Sequence, residues 1–134
     1  MKLTLTTTKK QEIIEITGKV NELIKKSKIK DGLCNVYVKH TTAAIIINEN
    51  DDPNICTDIL NALNKAFPDK AGYLHDRIDG NAGAHIKAAV LGPSETLPFE
   101  DSKLKLGRWQ ALMLVELDGP RKDREIEVVL LPKP

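Results

Sequence analysis

"LCNVYVKHTTAAIIINENDDP", residues 33 to 53, places two β-rich runs back to back and follows them with a helix start. "LCNVYVK" alternates in the manner of a half-buried strand. "AAIIINE" is apolar on consecutive residues, the pattern of a strand covered on both faces. "HTT" joins them, so His40 lies between two strands or at a bend in one. Beyond them Asp52 can cap free backbone amides, and Pro53 can take the first helical position, where no N–H is needed. Ile55, Ile59, Leu63 and Phe67 then recur every four residues and form one apolar stripe.

Working towards the N-terminus, Val20, Leu23 and Ile24 lie three and four apart, and Lys25, Lys26 and Lys28 stand where cations complement a helix dipole. This predicts a first helix from Thr17 that ends at Asp31 and Gly32. "KLTLTT" and "EIIEIT" read as strands over 2–8 and 11–16, joined as a hairpin near Lys9 and Lys10. Working towards the C-terminus, a further helix is expected from about Asn81. "SETLPFED", "KLKLG", "RWQALMLVEL" and "EIEVVLL" then read as a β-meander. Strands at both ends with two or three helices between them predict an α+β chain of one domain over 1–134, not a βαβ repeat.

A length of 134 residues suits one core, and 41% hydrophobic with 29% charged residues is the composition of a chain that folds. The formal charge of +1 supplies no broad positive field, and the five aromatics are too few for a base-stacking platform, so nucleic acid is not the expected partner. The longest apolar runs, Ala43 to Ile47 among them, are five residues, far short of the roughly 20 residues of a membrane span, and "MKLTLTTTKK" has no signal-peptide core. A cytoplasmic location is expected. Cys34 and Cys56, dispersed and outside any C-x-x-C, read as small buried hydrophobes.

Chemistry concentrates in the histidines. His40, His75 and His85 fall within 46 residues, and "HDRIDGNAGAH" packs Asp76, Asp79 and Asn81 between two of them. Imidazoles with a carboxylate suit zinc or a similar divalent ion, although a ten-residue spacing requires tertiary folding to assemble the site. A half-buried His40 bonded to backbone, and a plain turn before a helix, explain the same residues structurally. Gly80 and Gly83 would let backbone approach a ligand, with helix amides favouring phosphate. Glu49, Asp51 and Asp52 read first as helix-start carboxylates. "ELDGPRKDR" offers Glu116, Asp118, Arg121 and Arg124 around a turn, as phosphate contacts or as ion pairs. Trp109 reads as core or interface.

"YVKHTTAAIIINENDDP" and "HDRIDGNAGAHIKAAVLGPSETLPFEDSKLKLGRWQALMLVELDGPR", in that order and over about Leu33 to Arg124, resemble the YjbQ-like family, described as secondary thiamine-phosphate synthase enzymes. The resemblance implies an α+β fold of mixed or antiparallel sheets packed as a sandwich. It also implies a homotrimer with the histidine motifs near a subunit boundary. His40 with Thr41, His75 with Asp76, and Asn81 with His85 match its polar positions, as do Glu49, Trp109, Gln110, Glu116, Asp118 and Arg121. Arg77 stands where the family often has an acid. The implied reaction joins a pyrimidine methyl diphosphate to a thiazole phosphate and releases pyrophosphate. On this reading His40, His75, His85, Asp76 and Arg121 are catalytic, and the three histidines hold zinc or magnesium. Thr41, Glu49, Asn81, Gly83 and Trp109 bind the small phosphorylated heterocycle. A non-catalytic metal- or anion-binding regulatory module and a metal-assisted hydrolase are the competing expectations.

Overall fold

The computed structural model describes residues 1–134. The chain runs β1 (Lys2–Leu5), β2 (Glu12–Glu15), α1 (Thr17–Ser27), β3 (Gly32–Val38), β4 (Ala43–Glu49), α2 (Pro53–Ala66), a 3-10 turn (Leu74–Arg77) and α3 (Ala82–Leu91). It continues through β5 (Ser94–Glu100), β6 (Lys103–Leu104), β7 (Gln110–Glu116) and β8 (Arg124–Pro132). Five strands in the order β1-β8-β3-β5-β6 form one sheet, and β2-β7-β4 form a second. Every pairing is antiparallel. The expected α+β sandwich with three helices is therefore the fold. No helix is long and apolar enough to cross a membrane.

The doubly covered strand is where the sequence placed it. Ala43 and Ile45 of β4 face the main core with Leu112 and Leu114 of β7, against Val36, Val38, Ile126 and Val128 of the larger sheet. Ala44 and Val115 point the other way, under Ala84 and Ala88 of α3 and Leu60 of α2. Alanines on both contacting surfaces let α3 lie close on the sheet. The layers are thus helix, small sheet, large sheet, while Val20 and Ile24 of α1 plug the main core.

Three expectations need correction. β1 and β2 make no hairpin: β1 pairs with β8 and β2 with β7, so residues 6–11 cross between the sheets. Buried hydrogen bonds override local proximity there, because the Thr7 hydroxyl donates to Glu116 Oε2 at 2.9 Å. Nor do the last strands form a meander, since β7 leaves for the small sheet and β8 returns between β1 and β3. Helix α1 stops at Ser27, before Asp31, because Lys28 turns into the left-handed region with φ 64°. Asp52 does cap α2, accepting from Asn54 N–H at 3.0 Å with Pro53 at the first position. Its apolar stripe, however, is half-buried rather than enclosed.

At one end of the sandwich Glu116, last in β7, and Arg124, first in β8, join the two sheets. Arg124 Nε and Nη2 reach the two carboxylate oxygens at 2.8 and 2.5 Å. Arg124 Nη2 also donates to Thr42 Oγ1 at 2.9 Å, and Asp118 N–H donates to Glu116 Oε1 at 3.0 Å. Burial by itself would raise the Glu116 pKa, but Arg124, Asp118 N–H and Thr7 together hold it below the usual carboxylate range. Replacing Arg124 with methionine strands a buried carboxylate and should cost about 3–5 kcal/mol in urea unfolding. The double variant E116L/R124M should cost less than the single one. A loss within about 1 kcal/mol for R124M would show that the pair does not anchor the sheets.

Candidate functional site

The same ion pair lies next to the first of the histidines. Glu125, next to Arg124, donates its backbone N–H to His40 Nε2 at 2.9 Å, so the structural reading of His40 as bonded to backbone holds. Its lone pair is used there, which leaves the proton on Nδ1. Burial and then the Arg124 charge push the His40 pKa below the usual imidazole range, so the ring is neutral at pH 7. His40 lines a cleft of about 390 Å³ with Tyr37, Lys39, Thr41 and, from α3, His85. Val38, Ala43, Ala88 and Pro93 supply its apolar lining. Tyr37 and Lys39 carried no functional signal in the sequence. Tyr37 points away from the core simply because β3 alternates, and it remains 40% exposed.

His85 also touches His75, ring edge to ring face, with centroids 4.8 Å apart. His85 thus shares a cleft with His40 and a ring contact with His75. No group of three or more His, Cys, Asp or Glu side chains is arranged to hold a metal ion. His75 Nε2 lies 3.7 Å from Asp79 Oδ2, beyond hydrogen-bond distance. It is buried without a partner, as are Asp76 Oδ2 and Asn81 Oδ1.

The start of α3 is largely closed to an anion. Ala82 N–H goes to Asp76 Oδ1 at 2.9 Å, and Ala84 and His85 N–H go to the Asn81 carbonyl. Gly83 has a packing reason of its own: a Cβ there would stand 2.6 Å from Asp69 Oδ1 and 3.3 Å from the buried Lys87 Nζ. Asp118 organises the neighbouring turn. Its Oδ2 accepts from Asn81 Nδ2 and from Arg121 Nη2, both at 2.9 Å, and its carbonyl accepts from Arg121 Nε at 3.0 Å. Arg121 is thereby fixed beside the α3 start while its side chain stays half exposed. Gly119 permits this turn, since a Cβ would collide with the Lys9 carbonyl of the crossing segment at 2.1 Å.

Glu49 and Trp109 stand apart from these groups. Ala43 pairs with Glu116 at one end of β4 and Glu49 with Gln110 at the other. Six residue steps, about 20 Å, separate the two ends. Trp109 is 53% exposed there, with the Arg108 guanidinium 4.9 Å over its ring.

A neutral His40 in the fold makes protonation easier in the unfolded chain than in the folded one. Its contribution to stability is complete above the unfolded pKa of about 6.5 and is lost as pH falls through the lower folded value. Glutamine can accept the Glu125 N–H without titrating. H40Q should therefore lose less stability than the parent between pH 7.5 and 5.5 in urea unfolding, and equal losses would contradict a buried neutral imidazole.

Sequence and structure comparisons agree. The family model for UPF0047 protein YjbQ-like matches residues 1–133. A UPF0047 protein of Archaeoglobus fulgidus is 47% identical over 126 residues, 94% of this chain and 97% of that protein. The UPF0047 protein YugU of Bacillus subtilis is 38% identical over 89% of each chain. A crystal structure of a YjbQ/UPF0047 family protein from Clostridium acetobutylicum superposes with a TM-score of 0.93 at 42% identity, covering 98% of this chain and 99% of that one. These names give a family and no reaction. With its cleft, turn and sheet order in place, the chain belongs to the YjbQ-like UPF0047 family.

Proposed function

We propose that this protein is a transferase of the thiamine-phosphate synthase type, acting on small phosphorylated heterocycles in the His40–His85 cleft. The observation that carries the reading is the cleft's mixed lining: an exposed tyrosine face, an apolar wall and two imidazoles, with the Lys39 ammonium beside them shared between Glu125 and Glu127. A planar ring suits Tyr37 and the wall, and an anionic substituent suits the imidazole N–H donors. In the reaction the C–O bond to diphosphate breaks, the thiazole nitrogen forms the C–N bond to the freed methylene, and pyrophosphate leaves with the bond pair. No net proton transfer is required. That agrees with a His40 whose Nδ1–H acts as a donor and whose Nε2 is unavailable as a base. His85 supports the leaving oxygens, with His75 fixing its ring. Arg121, paired with Asp118 but half exposed, would offset diphosphate charge through its guanidinium alone, since the Ala82, Ala84 and His85 amides of α3 are engaged.

Zinc or magnesium is a second reading, favoured by the unpartnered acceptors His75 Nε2, Asp76 Oδ2 and Asn81 Oδ1. The three histidines do not fit a shared metal within one chain, because His40 Nε2 is already engaged and no closed ligand set forms. No step is assigned to a metal for that reason.

Assembly as a homotrimer is part of the proposal. Leu74 and Ile78, 75% and 77% exposed, flank His75, while Glu49 and Trp109 sit at the opposite end of the small sheet. A head-to-tail neighbour would cover the first pair and bring the second towards the cleft.

Pyrophosphate release from the two heterocycles should fall about 100-fold in H85A, while R121A should chiefly raise KM for the diphosphate donor. Binding of both substrates without turnover by the parent would favour a regulatory module. Full activity in H85A and Y37A would remove the cleft from the chemistry. Light scattering should give three times the chain mass, and L74S/I78S should lower it. Metal titration of the parent and of D76N tests the second reading, and absence of binding in the parent would end it.

A further inference from the structure

At the far end of the molecule a second concavity opens, with different chemistry. β5 begins at Ser94, paired with Tyr37 beside the histidine cleft, and ends at Glu100, six steps or about 20 Å away. The turn after Glu100 faces α1 across a cleft of about 690 Å³ that no hydrophobic side chain lines. Lys25, Lys28, Lys30 and Lys103 line it, with Glu22 and Asp101 as the acids present.

Two features distinguish the cleft. First, it gathers four ammonium-bearing side chains, from α1, from the residues that follow it and from β6, and none of the four has a carboxylate oxygen within 4.0 Å. Helix-dipole complement accounts for Lys25, in the last turn of α1, but Lys30 and Lys103 lie off that helix. Second, the walls are fixed. Ser102 donates its hydroxyl to the Ile29 carbonyl at 3.0 Å and its N–H to the Lys30 carbonyl at 2.8 Å. Asp101 N–H meets Asp31 Oδ1 at 3.1 Å, and Leu104 N–H meets Asn21 Oδ1 at 2.9 Å. The segments that carry Lys30 and Lys103 are therefore tied together and to α1. Lys28, Asp101 and Ser102 are held at φ 64°, 51° and 62°, the left-handed region that L side chains enter only under constraint.

Four like charges line a rigid, wholly polar cleft, and an anion that enters it lowers their mutual repulsion. Two rim acids lower the local balance, so a multiply charged anion gains most. The lack of apolar lining gives no surface on which a base or acyl chain could be buried. We propose that this cleft binds a condensed phosphate group of the pyrophosphate or tripolyphosphate class. Its observations are independent of the histidine cleft.

Calorimetric titration of the intact protein with inorganic tripolyphosphate at low salt should show saturable binding. The variant K30Q/K103Q should weaken it at least about ten-fold, because charge-assisted contacts to phosphate are lost. The variant K9Q/K65Q, with the same charge change on exposed lysines elsewhere, should stay within about two-fold. Backbone amide NMR shifts on titration should centre on Lys30, Ser102 and Lys103. The proposal is overturned by equal losses in the two variants, by shifts centred on the α3 start, or by no saturable binding of the parent up to millimolar ligand. Matching melting curves for both variants and the parent would confirm that a loss reflects the site and not the fold.

Discussion

Two sheets of unequal size can slide or splay unless something fixes one end of the stack, and here that is the doubly hydrogen-bonded contact of Arg124 with Glu116. Thr7 and Thr42 add hydrogen bonds to the pair, so four chain segments meet in one buried cluster. A charge pair at this depth adds little net stability compared with apolar side chains, but it accepts only one alignment of partners. Sheet register, the crossing of residues 6–11 and the place of His40 beside Glu125 all follow from that alignment. Asp118 extends the same cluster to Asn81 and Arg121, so the polar groups of the candidate site share one support.

The large sheet and the small sheet differ in how they are covered. β4 and β7 are enclosed by the core on one side and by α3 on the other. The large sheet keeps Leu33, Tyr37, Val129 and Leu131 exposed on its outer face. Alternation along β3 and β8 dictates this, since Cys34, Val36 and Val38 take the inner positions. Tyr37 thereby reaches the edge of the histidine cleft, where an aromatic face can meet a planar ligand.

Local chemistry was legible where it acts over a few residues. Asp52 and Pro53 announced α2, five apolar residues in a row announced the enclosed β4, and the sequence around Asn81 announced α3. Family resemblance carried the sandwich. Long-range pairing was not legible: nothing near Lys9 says that Thr7 is destined for Glu116, more than a hundred residues on, so proximity suggested a hairpin. In the site, His40 and His85 do share a cleft, and Asn81, Asp118 and Arg121 do connect. Gly83 suggests a close approach of backbone to phosphate, but its neighbour is Asp69. Glu49 and Trp109 belong to the other end of β4, because sequence order does not reveal which way a strand carries its neighbours.

The place of β8 bears on how the chain reaches this structure. As the final strand in sequence, it lies between β1 and β3, and the N-terminal amine of Met1 donates to the Val128 carbonyl at 2.9 Å. During synthesis from the N-terminus, β1 has no partner in its sheet and one edge of β3 stays open until residues 124–132 leave the ribosome. Closure is then a single late event that ties the two ends of the sequence together, with Arg124 reaching Glu116 in the same step. The contacts that close the large sheet are thus distant in sequence, the kind of topology whose loop-closure cost slows folding at a given size.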